Sequence, residues 1–280
     1  MKVEIKSVEH VSDEALRLAM NCAFSDYAVP MELSGRIFAL MMRQRGLDRV
    51  ASRIAVIAGE IAAIWLVSVR GHRVYLISSG TCPAFRRQGL ARRLAEDCLT
   101  DLRQRRIASF QTEVLVHNNN AFDLYTSLGM MITRRLECYD LPRPMEPAKH
   151  AAHQIPWEVI EDKVLPLAEV EPSWQNSFSA IGAVADDVTC WTVSDDRGLA
   201  GYAAVIPETG TLAQIAVRKD RRCDGIAKSL ISVCHRGDNL RLINVDGRSD
   251  SFLAFLQAIG AEPTVSQFEL NMRVSGANER

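Results

Sequence analysis

The chain has 280 residues, 33 basic and 34 acidic side chains, a net charge of −1 and 48% hydrophobic residues. The length suits two domains of ordinary size, each with its own core, and the balanced charge argues against nucleic acid or an anionic membrane surface as the main partner. No apolar run reaches the ~18 residues of a membrane helix; the seven cysteines are odd in number without a C-x-x-C pair, and residues 1–6 do not read as a signal peptide, so the expectation is a cytoplasmic protein with reduced thiols and no metal site.

Residues 3–8 alternate like a strand. Residues 13–24 have helical spacing after the candidate cap Ser12, with Asp13 and Glu14 at the positive end of the helix dipole. A second amphipathic helix is expected over 31–45. Residues 52–58 and 61–69 form a hairpin around Gly59-Glu60, and a turn at Gly71-His72 leads into a strand over 73–82. A helix over 90–105, a strand over 109–116, a helix over 121–128 and a strand over 131–141 complete the first half. Pro142, Pro144, Pro147 and Pro156 then crowd together, four of the ten prolines in the chain, and mark a linker over 146–156. The second half repeats the order in shorter form. A hairpin joins 188–193 to 199–206, and a strand at 211–217 precedes a helix that His235-Arg236-Gly237 ends. Strand, helix and strand follow at 240–245, 251–259 and 267–274.

The repetition is sharpest after the fourth strand of the first half. Arg86-Arg87-Gln88-Gly89-Leu90-Ala91-Arg92 is echoed by Arg222-Cys223-Asp224-Gly225-Ile226-Ala227-Lys228, with Gly89 and Gly225 136 positions apart. In each copy a glycine permits a left-handed turn and close approach of a ligand. The helix that follows presents unpaired N–H groups and the positive end of its dipole, which together favour an anion. Arg86 and Arg87 add positive charge to the first copy. Asp224 puts a negative charge into the second.

Thr81-x-Pro83-x-x-Arg86-x-x-Gly89-Leu90-Ala91, followed by Glu113 through Asn118 and Tyr125 to Gly129, resembles the GNAT superfamily of N-acetyltransferases. The resemblance covers roughly residues 2–141 and, more weakly, 155–274. It implies an α/β (α+β) fold of two tandem domains, 1–145 and 157–280, each a mixed, mostly antiparallel sheet flanked by helices. It also implies acetyl-CoA as cofactor. The residues expected to hold it are Thr81, Cys82, Arg86, Arg87, Gln88, Gly89, Leu90, Ala91, Arg92 and Asn118, with oxyanion donors among the backbone N–H groups near Thr81 and Cys82. Asn118 is expected either on the pantetheine arm or as a cap of the next helix. Cys82 reads as a small buried thiol rather than a nucleophile.

By position alone Tyr125 is a core tyrosine of an amphipathic helix; the resemblance makes it the donor that protonates the departing thiolate. Glu113 stands where ribosomal-protein N-terminal acetyltransferases have their proposed base, and is otherwise a solvated strand glutamate. The acceptor wall is expected from the loop after the first helix, with Tyr27, Asp26 and Met31, although these residues equally suit packing between helices. In the second half Leu256 stands where the tyrosine would be, so that half is expected to be non-catalytic. The implied function is acetyl transfer to a primary amine of a small molecule, by a monomer or homodimer. Alternatives are a protein or peptide amine acetyltransferase and a non-catalytic acyl-CoA-binding sensor.

Overall fold

Both halves of the sequence build a mixed, mostly antiparallel sheet in the computed structural model, which describes residues 2–26, 32–144, 147–235 and 240–274. The chain divides into unit 1, Met1–Thr133 with Glu269–Arg280, and unit 2, Arg134–Phe268.

In unit 1, β1 (Val3–Ser7), β2 (Arg53–Ile57), β3 (Glu60–Arg70) and β4 (Arg73–Thr81) are antiparallel neighbours, and β4 runs parallel to β5 (Ser109–Leu115). Between β1 and β2 lie α1 (Asp13–Ala23), capped by the Ser12 hydroxyl, and α2 (Gly35–Arg45). The second helix starts at Gly35 rather than 31, because Ser34 adopts extended backbone and its hydroxyl accepts from the Ile37 N–H. α3 (Leu90–Gln104) buries Leu90, Leu94, Cys98 and Leu102 on one stripe, against β2, β3 and β4. Each fully buried leucine of that kind contributes about 1.5–3 kcal/mol. α4 (Asn119–Ser127) follows β5.

In unit 2 the sheet order is β7 (His153–Ile155), β8 (Thr189–Asp195), β9 (Gly198–Ile206), β10 (Thr211–Val217), β11 (Leu240–Asp246), then β6 (Met131–Leu141). Here β10 and β11 are the parallel pair. α7 (Ile226–Cys234) packs on β8, β9 and β10, and is shorter than its counterpart α3. Residues 153–187, left without elements by the sequence pattern, hold β7, α5 (Trp157–Val164) and α6 (Phe178–Gly182). α8 (Asp250–Ala258) and β12 (Glu262–Arg273) complete the order.

The units do not divide in the proline-rich stretch. β6 enters unit 2 at Arg134 and pairs there with β11, Leu141 opposite Leu240. β12 leaves unit 2 after Phe268, and its last residues lie beside β5 in unit 1. The Val274 N–H donates to the Ala108 carbonyl at 3.0 Å. Each half was expected to keep its own final strand. Alternation specifies which face of a strand is buried, but not which edge it joins.

Candidate active site

The turn between β4 and α3 has the conformation its sequence demands. Arg87 (φ +61°) and Gly89 (φ +69°) are both left-handed, and Gly89 is the residue from which α3 starts. No atom lies within 4 Å of where a Cβ on Gly89 would stand, apart from its chain neighbours, so the backbone of the first turn of α3 is approachable. Arg87, Gln88, Gly89, Arg92 and Arg93 are exposed around it, Ala91 is half-buried and Leu90 is buried in the core. Arg86 is committed elsewhere. Its guanidinium donates to the Thr81 carbonyl at 3.1 Å, to the Ala23 carbonyl at 3.2 Å, and to both oxygens of Asp26 at 2.6 and 2.7 Å. Arg86 therefore braces the turn against the end of α1. Asp26, expected either in the acceptor wall or in packing between helices, is paired with Arg86, which lowers its pKa. Tyr27 and Met31 lie outside the described residues.

β4 and β5 are paired only from Arg73–Ser109 to Tyr75–Gln111, although both strands continue. They separate after Tyr75, where β4 carries a bulge opposite Leu66 and Val67. The parting frees one edge of β4, and the register with β3 tells which groups line it. Cys82 donates its N–H to the Ala62 carbonyl at 2.9 Å, continuing the pairing of Thr81 with Ala63. Bonded and non-bonded pairs alternate in antiparallel sheet. Gly80 and Ser78 therefore also turn towards β3, while the N–H groups of Thr81 and Ser79 turn to the open edge. Cys82 was expected as a donor, but its N–H is already bonded to Ala62; of the neighbouring groups, those of Ser79 and Thr81 face the open edge. The Cys82 thiol is buried, which pushes its pKa up to about 12, and it faces the carbonyls of Ala19 and Ile61.

Glu113 and Tyr125 sit on opposite sides of the parted sheet. Trp65 meets Phe110 edge-on at 6.3 Å and Tyr125 edge-on at 6.2 Å between ring centres. Glu113 is three residues beyond Phe110 on β5, and alternation turns it to the other face. There the Tyr75 hydroxyl donates to Glu113 Oε2 at 2.8 Å. Burial and the neighbouring Glu113 push the Tyr75 phenol well above its usual pKa, so it stays protonated and acts as a donor. Tyr125 is 5% exposed.

Two further residues of this face escaped the sequence reading. Gln111, the last position of β5 paired with β4, donates from Nε2 to Glu269 Oε2 at 2.8 Å and accepts from Arg73 at 3.3 Å. The other oxygen of Glu269 accepts from the Thr133 hydroxyl at 2.8 Å. Glu269 belongs to β12, so β5 is held at the parting by a residue 158 positions away. Alternation on 109–116 signals Gln111; nothing local signals Glu269. Asn118 caps α4, its Oδ1 accepting from the Ala121 N–H at 3.2 Å, and His117 is exposed.

The copy in unit 2 repeats the turn but not the site. Cys223 (φ +63°) and Gly225 (φ +88°) match Arg87 and Gly89, and Arg222 Nε donates to the Val217 carbonyl at 3.3 Å as Arg86 does to Thr81. Here, however, a Cβ on Gly225 would meet Lys149 Cδ at 3.1 Å. His150 Nε2 lies 2.8 Å from the Asp224 carbonyl oxygen, and the His150 N–H donates to Ser229 Oγ at 3.2 Å. Leu256 is buried in the core where unit 1 has Tyr125.

Among the described residues no helix is long and apolar enough to cross a membrane, and no group of three His, Cys, Asp or Glu side chains is gathered as a metal site. Residues 16–130 match the acetyltransferase (GNAT) family. No curated protein sequence matches the chain. The fold is similar to that of a tandem GNAT protein from the clavulanic acid biosynthesis pathway, with TM-score 0.74 at 12% identity over 99% of this chain and 100% of that one. It is also similar to a putative acetyltransferase from Pyrococcus horikoshii (TM-score 0.72, 12% identity, 99% and 90% covered). A GCN5-related N-acetyltransferase from Sphaerobacter thermophilus matches at TM-score 0.71 and 16% identity, with 99% and 97% covered. At such identities the likeness is one of fold: residues 16–130 carry the match to the acetyltransferase (GNAT) family, and the chain as a whole has the two-domain fold of tandem GNAT proteins.

Proposed function

We propose that unit 1 is an acetyl-CoA-dependent N-acetyltransferase that transfers the acetyl group directly to a primary amine of a small molecule. The observation that carries this reading is the parting of β4 and β5 beside an approachable helix N-terminus, with Glu113 on one face and Tyr125 on the other. The N–H groups at the start of α3 suit the pyrophosphate, with exposed Arg87 adding charge. Acetyl-CoA supplies the activated thioester. The N–H groups of Ser79 and Thr81 on the freed edge suit the oxygen that gains charge as the carbonyl is attacked. Glu113, held by Tyr75, takes the proton of the amine directly or through water. Tyr125 protonates the departing thiolate; a phenol near pKa ~10 and a thiol near ~8.5 are adequately matched. Arg86, by this reading, shapes the turn rather than touching phosphate. Unit 2 lacks both the tyrosine and the open turn, and is non-catalytic.

The test is thioester cleavage over a panel of small amines, beside a measurement of coenzyme A binding. Coenzyme A release matched by acetylated amine supports the reading. Tight binding without turnover on any amine would make the chain a sensor. Turnover confined to peptides would move the acceptor to protein amines.

A further inference from the structure

The region of unit 2 that corresponds to the catalytic opening is a cavity of about 870 Å³. Its β10 and β11 are paired only at Thr211–Arg241, so they diverge from the first residue of β10 onward and leave the interior of the sheet open. The walls are mainly apolar. Phe252 and Phe255 of α8 stack with ring centres 6.0 Å apart, and Phe178, Ile215, Val217 and Ile259 complete much of the lining. A cavity of this size is that of a site for a small organic molecule.

The chemistry of its occupant follows from the end where a polyphosphate would sit. In unit 1 the space above Gly89 is open. In unit 2 the stem of Lys149 fills it, and His150 fastens the same segment to Asp224 and Ser229 across the first turn of α7. The chain's own residues thus take the position of the pyrophosphate. Asp224 adds a negative charge beside it, itself paired with Arg221 at 2.8 Å. Arg143, Arg221, Arg222 and Lys228 also line the cavity, Arg221 paired with Asp195 and Asp224 and Arg222 with Glu169, and the rest of the lining is mainly apolar.

We propose that the unit 2 cavity is a binding site for a largely apolar small molecule that carries no phosphate, and that it does not take acetyl-CoA. The site is separate from the proposed catalytic one and stands whether or not unit 1 transfers acetyl groups.

Two measurements on the full chain test it. Calorimetry with acetyl-CoA should give one equivalent per chain, and Gly89→Val should weaken it at least about tenfold; a second equivalent, or one of unchanged affinity in Gly89→Val, overturns the proposal. Fluorescence titration with N-phenyl-1-naphthylamine, a neutral apolar probe, should show one saturable site. Ala216→Trp on β10 and Ala258→Trp on α8 each place bulk in the cavity, and each should weaken the probe at least about tenfold while leaving acetyl-CoA binding unchanged. Absence of probe binding, or equal binding by wild type and both variants, overturns the proposal. Should the wild type bind the probe but no acetyl-CoA at all, the proposed function of unit 1 fails while the cavity assignment stands.

Discussion

The two strand-to-helix turns are near copies in backbone and opposites in accessibility. Each has a left-handed residue two positions before a left-handed glycine, and each is braced by an arginine bonded to the end of its own strand. Even the carboxylate partner is conserved in kind, Asp26 for Arg86 and Glu169 for Arg222, the latter pair at 3.0 Å. Yet one glycine faces open space and the other faces Lys149. The shape of such a turn is therefore separable from its accessibility, and what lies over it decides whether an anion could approach the helix N-terminus.

The largest expected effect concerns completeness of unit 1. A chain ended after Phe268 loses the strand beside β5, and acetyl transfer should be abolished, with coenzyme A release at background. Should unit 1 work without 269–274, its resemblance to unit 2 is that of a self-contained copy. Next, Tyr125→Phe should lower kcat about 100-fold with little change in acetyl-CoA affinity, as expected for a donor used in the transition state. Leu256→Tyr should add nothing. Near-normal turnover by Tyr125→Phe would make the tyrosine a core residue like Leu256.

Gly89→Val should weaken acetyl-CoA at least about tenfold, since a branched side chain is disfavoured at positive φ and stands in the ligand's approach. Gly225→Val should leave that affinity within about twofold, both read by calorimetry. Glu269→Ala strands the Gln111 amide and should cost about 1–3 kcal/mol in denaturant unfolding. An unchanged midpoint would mean that β5 needs no hold from β12.

The smallest effect is confined to unit 2. Burial works to raise the Asp246 carboxyl, but Arg248 and Arg134 hold it at about 2. Its folded value lies below its unfolded one, near ~3.9. The stabilisation it gives is therefore present above about pH 4 and fades as pH falls towards 2. Asp246→Asn should flatten the loss of thermal stability over that window. Unit 1 has the apolar Leu115 at the matching strand end, where Asn118 donates to Leu115 as Ser249 does to Asp246, and no change is expected there.

The turns, α3 and most strands of unit 1 were legible because their causes are local. Ser12 caps, Gly89 turns, and apolar stripes repeat at fixed periods within a dozen residues. The pairing of Glu113 with Tyr75 was half legible: both strands were read, but the parallel register that joins them was not. That the N–H of Ser79, and not that of Cys82, faces the open edge needed the β3 register, which one residue of slip would invert. Lys149 over Gly225, Arg86 on Asp26 and Glu269 on Gln111 join residues far apart in the sequence, and no local pattern announces such partners.

The passage of β12 into unit 1 also sets the order of events when the protein is made. Residues 1–133 leave the ribosome before unit 2 does, yet the neighbour of β5 arrives only with residues 269–273. Until then the edge of β5 offers unpaired backbone groups, a template for aggregation. Contacts spanning most of a chain also form slowly, because the entropy of closing so long a loop is met before they repay it. Of the two units, the one synthesised earlier is thus the one finished later, and a nascent or truncated chain is exposed to misfolding along this edge for as long as the remainder takes to appear.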